Sequence, residues 1–151
     1  MPDETTRKAF GTQIYQTARL WRRAADQRLQ PYGLTEATWL PLIRIARSPV
    51  PMRQKDLAAA LSLDGSSIVR VLDMLETADL IKRQEEGEDR RAKIIVLTPK
   101  GEATVEKVEA VARAVREEAL GDLSDEDIEK AFSVLDHICR VLGRSLEEQA
   151  S

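Results

Sequence analysis

A chain of 151 residues, 42% hydrophobic and 32% charged, suits one globular domain or a small domain with helical extensions, and excludes a disordered or low-complexity protein. The longest aliphatic run, Ile94-Ile95-Val96-Leu97, is far too short to span a bilayer, and Met1-Pro2-Asp3-Glu4 does not open an export signal, so a cytoplasmic setting without membrane is expected. The net charge of −3 is unevenly spread: residues 1–49 hold eight cations against four acids, residues 50–100 nine against nine, and residues 101–151 six against thirteen. Any polyanion must therefore be met by a local face outside the C-terminal third.

Apolar residues at Phe10, Ile14, Ala18, Trp21 and Ala25 form one helical stripe, which Pro31-Tyr32-Gly33 stops. Thr35 occupies an N-cap position before a second helical run, Trp39, Leu40, Leu42, Ile43 and Ala46, broken by Ser48-Pro49-Val50-Pro51. A short helix follows from Gln54 to about Leu61, with Leu57, Ala60 and Leu61 on one side. Its start lacks a good cap, because Met52 and Arg53 offer no short side-chain oxygen. After the turn Leu63-Asp64-Gly65-Ser66, the next helix runs from Ser66 to about Thr77. Ile68, Leu72 and Leu75 make its inner stripe, and Ser66, Arg70, Asp73 and Thr77 make an outer one capable of hydrogen bonding.

The period then changes. Leu80-Ile81-Lys82-Arg83-Gln84 and Ala92-Lys93-Ile94-Ile95-Val96-Leu97 are β-favouring runs, joined by the polar stretch Glu85 to Arg91, and predict a two-stranded hairpin with a long exposed tip. Thr98-Pro99 opens another helix, with threonine as cap and proline at the first helical position. Val105, Val108, Ala112, Val115 and Ala119 form its stripe, and Gly121 ends it. Ser124 caps a last helix, whose apolar face is Ile128, Phe132, Leu135, Ile138, Leu142 and Leu146.

Two short helices, a tight turn and a hairpin constitute a winged helix-turn-helix. The second helix of such a module enters the major groove, and an arginine-tipped wing reaches an adjacent minor groove. The predicted fold class is therefore mostly α with a small β-hairpin wing, a winged helix-turn-helix flanked by long N- and C-terminal helices. One integrated chain, 1–151, is expected, with a DNA-binding lobe at 35–98 and dimerisation helices at 5–33 and 99–148. The long terminal stripes have too little partner surface within one chain, which motivates a homodimer.

The segments Leu34-Thr35-Glu36-Ala37-Thr38-Trp39, Ser66-Ser67-Ile68-Val69-Arg70-Val71-Leu72-Asp73, Ala18-Arg19-Leu20-Trp21-Arg22-Arg23 and above all Glu88-Asp89-Arg90-Arg91-Ala92-Lys93 through Leu97-Thr98 resemble the MarR/SlyA family over roughly residues 10–145. The resemblance implies a homodimeric regulator of transcription, expected to repress from a pseudo-palindromic operator on double-stranded DNA. It assigns Ser66, Ser67 and Arg70 to recognition-helix contacts. Arg91, with Arg90 beside it, becomes the minor-groove arginine, and Asp89 holds the wing by a salt bridge. Lys93 joins the DNA-binding set. A small aromatic carboxylate or phenolic ligand would lodge between the lobes near Arg19, Trp21 and Trp39, residues that serve packing as readily as ligand contact. The acidic Glu85, Glu86 and Glu88 of the wing leave open an alternative, a ligand-sensing or protein-interaction protein of the same fold with weak DNA binding. Cys139 is expected to be a packed, inert thiol on the last helix, and a lone cysteine supplies neither an internal disulfide nor a zinc site. With His137 the only histidine and no nucleophile–base pair or glycine-rich phosphate loop, no catalytic site, metal or cofactor is expected.

Overall fold

The computed structural model describes residues 1, 3–87 and 89–151, with side chains described for all of these except Glu86 and residues 89–92. Its elements run α1 Glu4–Leu29, a 3-10 turn Gln30–Tyr32, α2 Glu36–Arg47, β1 Met52–Arg53, α3 Gln54–Leu61, α4 Gly65–Thr77, β2 Ile81–Glu86, β3 Asp89–Leu97, α5 Pro99–Leu120 and α6 Asp125–Ala150. The chain divides into two compact units, Met1–Val115 and Arg116–Ser151. Among the described residues no helix is long and apolar enough to cross a membrane.

Three helical ends in the first unit follow one rule, while α2 ends on an extended Ser48. The residue after the helix turns left-handed, and two backbone bonds close the end, from the next two amides to carbonyls one turn back. At the end of α1 the left-handed residue is Gly33, φ 72°, with Gly33 N–H donating to Gln30 at 2.8 Å and Leu34 N–H to Leu29 at 3.3 Å. At the end of α3 it is Ser62, and at the end of α4 it is Asp79, φ 59°, where Leu80 N–H reaches the Leu75 carbonyl at 2.9 Å. Leu75 and Leu80 are both buried, so the cap also closes an apolar contact. An aspartate in that conformation retains a Cβ–carbonyl repulsion that glycine lacks. Asp79→Gly should therefore raise unfolding free energy by about 0.5–1 kcal/mol, read as a higher urea midpoint at unchanged slope.

Two helix starts correct the sequence reading. Thr35 stands at the N-cap of α2 without a side-chain bond to the helix backbone. The start of α3, expected to be poorly capped, is closed from inside the helix: the Asp56 carboxylate accepts the Arg53 N–H at 2.9 Å. Thr98 and Ser124 cap as expected, their hydroxyl oxygens accepting from Gly101 N–H at 3.0 Å and Asp127 N–H at 3.1 Å.

The sheet has three strands rather than two, in the order β1-β3-β2, all antiparallel. Met52 and Arg53 pair with Ile95 and Ile94 and tie the segment before α3 to the wing. The wing strands are also longer than expected. Glu85 lies opposite Lys93 and Glu86 opposite Asp89, with a register irregularity between them, so 89–91 belong to β3 and not to a loop. Gly87, φ 64°, supplies the left-handed conformation at the tip.

One core cluster lies beneath the helix-turn-helix: Leu42, Ile45, Leu57, Ile68, Leu72, Leu75, Leu80, Ile81 and Ile95. Ala60, expected on the inner face of α3, is exposed, and Ala58 packs there instead. A second cluster joins Ala25, Leu29, Leu34, Trp39, Ile43, Val108 and Val115, so α5 is anchored on the first half of the chain as its stripe predicts. Arg47 of α2 adds a two-pronged ion pair to Glu109 of α5, both N···O distances 2.9 Å. The N-terminal half of α1 has no such cover: Phe10, Ile14 and Tyr15 are exposed.

In the second unit, α6 buries none of its residues; Phe132 is 71%, Leu142 57% and Leu146 66% exposed. Cys139 is likewise exposed, against the expected packed thiol. The stripe on which that expectation rested exists, but this chain alone does not cover it.

Candidate nucleic-acid interface

The centre of the site is α4. Its inner side is held by Ile68, Leu72 and Leu75, none more than 1% exposed, so the opposite side is presented rigidly outward. Ser66, Arg70, Asp73 and Thr77 are exposed as their spacing predicts, and Ser67 is half-buried. Arg70 has no hydrogen-bond or ion-pair partner among the described residues, which leaves its planar donor fork available to an acceptor pair such as guanine O6 and N7. Val69, beside it, is 38% exposed and is the apolar neighbour of this polar stripe.

The helix begins in a dense polar cap. The Asp64 carboxylate accepts the Ser67 N–H at 2.7 Å and the Ser66 hydroxyl at 2.9 Å. The Ser66 hydroxyl has thus spent its proton, and its oxygen can serve only as an acceptor, a match for the amino group of adenine or cytosine. The Ser67 backbone bond, with the serine hydroxyl bonds, holds the Asp64 carboxyl below the ordinary carboxylate value of 3.8. A pKa lowered on folding means that the cap's contribution is present above the unfolded value and is lost as pH falls through the folded one. Hydrogen exchange at the Ser67 amide should accordingly rise as pH is taken from above 3.8 down through the lowered value, after correction for intrinsic rates. The same measurement on Asp64→Asn should show no such step.

Two carboxylates on the flank of α4 would repel phosphate. Arg83 of β2 answers both, with N···O distances of 2.8 Å to Asp73 and 3.3 Å to Glu76. Asp73, read from sequence as part of the outer stripe of α4, is thus engaged by the wing strand β2. An exposed pair of this kind adds little stability by itself, so its effect is neutralisation and alignment. Neither Arg83 nor its partnership is visible from helical spacing alone, because the strand residue lies ten positions away.

The wing residues fall in two groups. Lys93 is exposed on β3, directly opposite Glu85. Opposite charges facing across an antiparallel pair attract, which accounts for part of the tolerated acidity of the wing. The side chains of Asp89, Arg90 and Arg91 lie outside the described residues; their backbone runs along β3.

The ligand-pocket residues separate. Arg19 lines a cleft of about 440 Å3 with Tyr15, Arg22, Arg23, Asp26 and Glu36. Trp39 is 5% exposed in the core, and its indole N–H donates to the cleft's Asp26 carboxylate at 3.2 Å. Trp21 is on the exposed side of α1 and is not among the residues lining that cleft. The cleft is therefore guanidinium-rich, with tyrosine as its aromatic member. Arg22 faces Glu36 at 3.6 Å, and Arg19 donates to Gln16 at 3.2 Å.

A recognition helix locked over a leucine-rich core, a preceding helix joined by a tight turn, and a three-stranded sheet with an extended hairpin define a winged helix-turn-helix DNA-binding protein. The model of the MarR family matches residues 34–93, the segment from before α2 through most of the wing. Among solved structures, the transcriptional regulator PA3341 is 38% identical, with 89% of this chain and 98% of that chain covered and a TM-score of 0.84. AbsC, a MarR family transcriptional regulator from Streptomyces coelicolor, is 29% identical over 94% of this chain and 97% of its own, with a TM-score of 0.78. MepR of S. aureus, solved as a complex with DNA, is 25% identical over 88% and 97%, with a TM-score of 0.76. The chain belongs to the MarR family of transcription regulators.

Proposed function

We propose that the protein is a dimeric repressor that occupies a pseudo-palindromic operator. Residues 35–98 read the DNA, and the helical segments 5–33 and 99–148 hold two subunits together. The observation that carries the reading is α4, with Ile68, Leu72 and Leu75 sealed inward and Arg70 outward, without a partner among the described residues. The exposed apolar faces at Phe10, Ile14 and Tyr15 on α1, and at Phe132, Leu142 and Leu146 on α6, supply the surface for the second subunit. Two copies of α4 then meet successive major-groove faces about 34–36 Å apart.

The test is selection of bound fragments from genomic DNA, followed by affinity measurements on the selected site. Arg70→Ala should lower affinity and relax discrimination at particular base pairs by about 1–3 kcal/mol each. Arg91→Ala should weaken binding with dependence on A·T content in the flanks. Recovery of no preferred sequence by wild type, or wild-type binding by both folded variants, removes this docking mode.

The cleft beside Arg19 supports release by a small aromatic carboxylate or phenolate. Its volume falls in the range of small-molecule sites, and three arginines against Asp26 and Glu36 leave an excess of one positive charge. Because the Asp26 carboxylate holds the Trp39 indole, a ligand that engages Asp26 or its neighbours should perturb Trp39 fluorescence. Titration with salicylate-like acids should change that fluorescence and weaken operator binding together. Linkage requires the free protein to bind the acid more tightly than the DNA-bound form, by the same factor. A fluorescence change at unaltered operator affinity would reveal an adventitious site.

A further inference from the structure

A second cleft, of about 430 Å3, opens where β1 and the start of α3 meet the wing strands. Its floor contains Leu72 and Ile95, 0% and 4% exposed, and its rim carries Arg53, Lys55, Arg83 and Lys93. These four cations come from three places in the chain, the β1–α3 junction, β2 and β3. They are assembled only because β1 joins the sheet, with Arg53 paired to Ile94, next to Lys93. No carboxylate occurs among the described residues that line the cleft. Asp73 and Glu76 answer Arg83 from α4, and Glu85 lies opposite Lys93, but these carboxylates stand outside the residues that line the cleft, so its rim presents cationic donors to whatever enters.

The position says which anion. Arg83 lies on the rim and also touches Asp73 and Glu76 of α4, so the cleft borders the recognition helix itself. Arginine and lysine converging from several directions suit a tetrahedral phosphate, and the apolar floor suits the deoxyribose beside it. We propose that this cleft seats a phosphodiester of the DNA backbone at the edge of the groove entered by α4. Arg53, Lys55 and Lys93 then supply affinity that is independent of sequence, while the outward stripe of α4 supplies discrimination. The inference rests on the DNA-binding reading above and adds Arg53 and Lys55 to the residues it involves.

The experiment uses the full chain with Lys55→Gln and Lys93→Gln combined, leaving Arg53 and Arg83 in place, and checks folding by circular dichroism. Binding to the selected operator and to a random duplex is followed against salt concentration. Loss of one neutralised phosphate should lower the slope of log K against log salt by about 0.9 per subunit engaged. The variant should lose affinity for operator and random duplex by the same factor, leaving their ratio unchanged. An unchanged salt slope in a folded variant overturns the proposal, as does a loss confined to the operator. Inorganic phosphate and pyrophosphate titrated onto the free protein form a further arm. Saturable binding below millimolar concentration, abolished by the double substitution while the DNA salt slope stays intact, would make this a site for a free anion and reject the backbone contact. If wild type binds neither duplex, it is the DNA-binding reading that fails; a binding wild type with an indifferent variant rejects only the cleft.

Discussion

Gly101→Ala should cost about 3 kcal/mol or more of stability and bring down the wing together with α5. A Cβ built at this position falls 2.0 Å from the Leu80 carbonyl oxygen and 3.0 Å from its carbon, both backbone atoms that cannot swing aside. That carbonyl is also the acceptor of the Thr98 N–H at 3.1 Å, and Gly101 donates its own N–H to Thr98 Oγ1. Making room for one methyl group therefore disturbs the start of α5, the end of the α4 cap and the entry to β2 at once. For a chain of this length the loss corresponds to a fall of about 6–12 °C in melting temperature. Thermal unfolding followed by circular dichroism gives the answer, and a melting temperature within a degree of wild type would contradict the packing described.

The second large effect concerns α6. Phe132→Glu combined with Leu142→Glu should leave a monomer by sedimentation while preserving helix content, because in this chain neither residue is buried. Two glutamates in the middle of an apolar interface must be desolvated without partners, which such an interface does not tolerate. Operator affinity should fall by about 10²–10⁴-fold, since the second half-site is no longer delivered by a tethered subunit. Deleting residues 124–151 altogether should instead leave aggregating chain. A wild-type protein that sediments as a monomer, or a folded monomeric truncation that binds the operator normally, would end the dimer proposal.

What could be read from the sequence follows from the range of the interactions involved. Pro31 to Gly33, Thr98-Pro99 and Ser124 mark helix boundaries through bonds to residues within three or four positions, so local chemistry sufficed. Ile68, Leu72 and Leu75 declared the inner face of α4 by period alone. β1 escaped because two residues carry no period, and the α3 cap because its carboxylate, Asp56, lies inside the helix rather than before it. The wing strands extend past the β-favouring runs because Glu85 to Arg91, charged enough to resemble a loop, continues the ladder through its backbone. The exposure of Ser66 and Arg70 on the outer face of α4 was legible from helical spacing. The gathering of Arg53, Lys55 and Arg83 at one cleft was not, because the cleft unites residues up to 42 positions apart. Of the two roles open to Trp39, its aromatic bulk serves packing in the core, and its indole N–H reaches the cleft through Asp26.

Thr98 is buried, with its hydroxyl donating to the Asp79 carbonyl at 2.5 Å while accepting from Gly101, and Lys100 Nζ adds a bond to the Ala78 carbonyl at 3.0 Å. The exit of the recognition helix and the first turn of α5 thus share one riveted joint. From that joint to Val115, α5 extends about 24 Å at 1.5 Å per residue. It is a lever with its fulcrum beside the reading head. A tilt of about 5° about the joint displaces Val115 by about 2 Å on this helical rise. Read in the other direction, a 2 Å shift imposed near Val115 becomes a small rotation of α4. Val115 belongs to the second core cluster, so helix length sets the ratio in which a displacement of that cluster would reach the exit of α4.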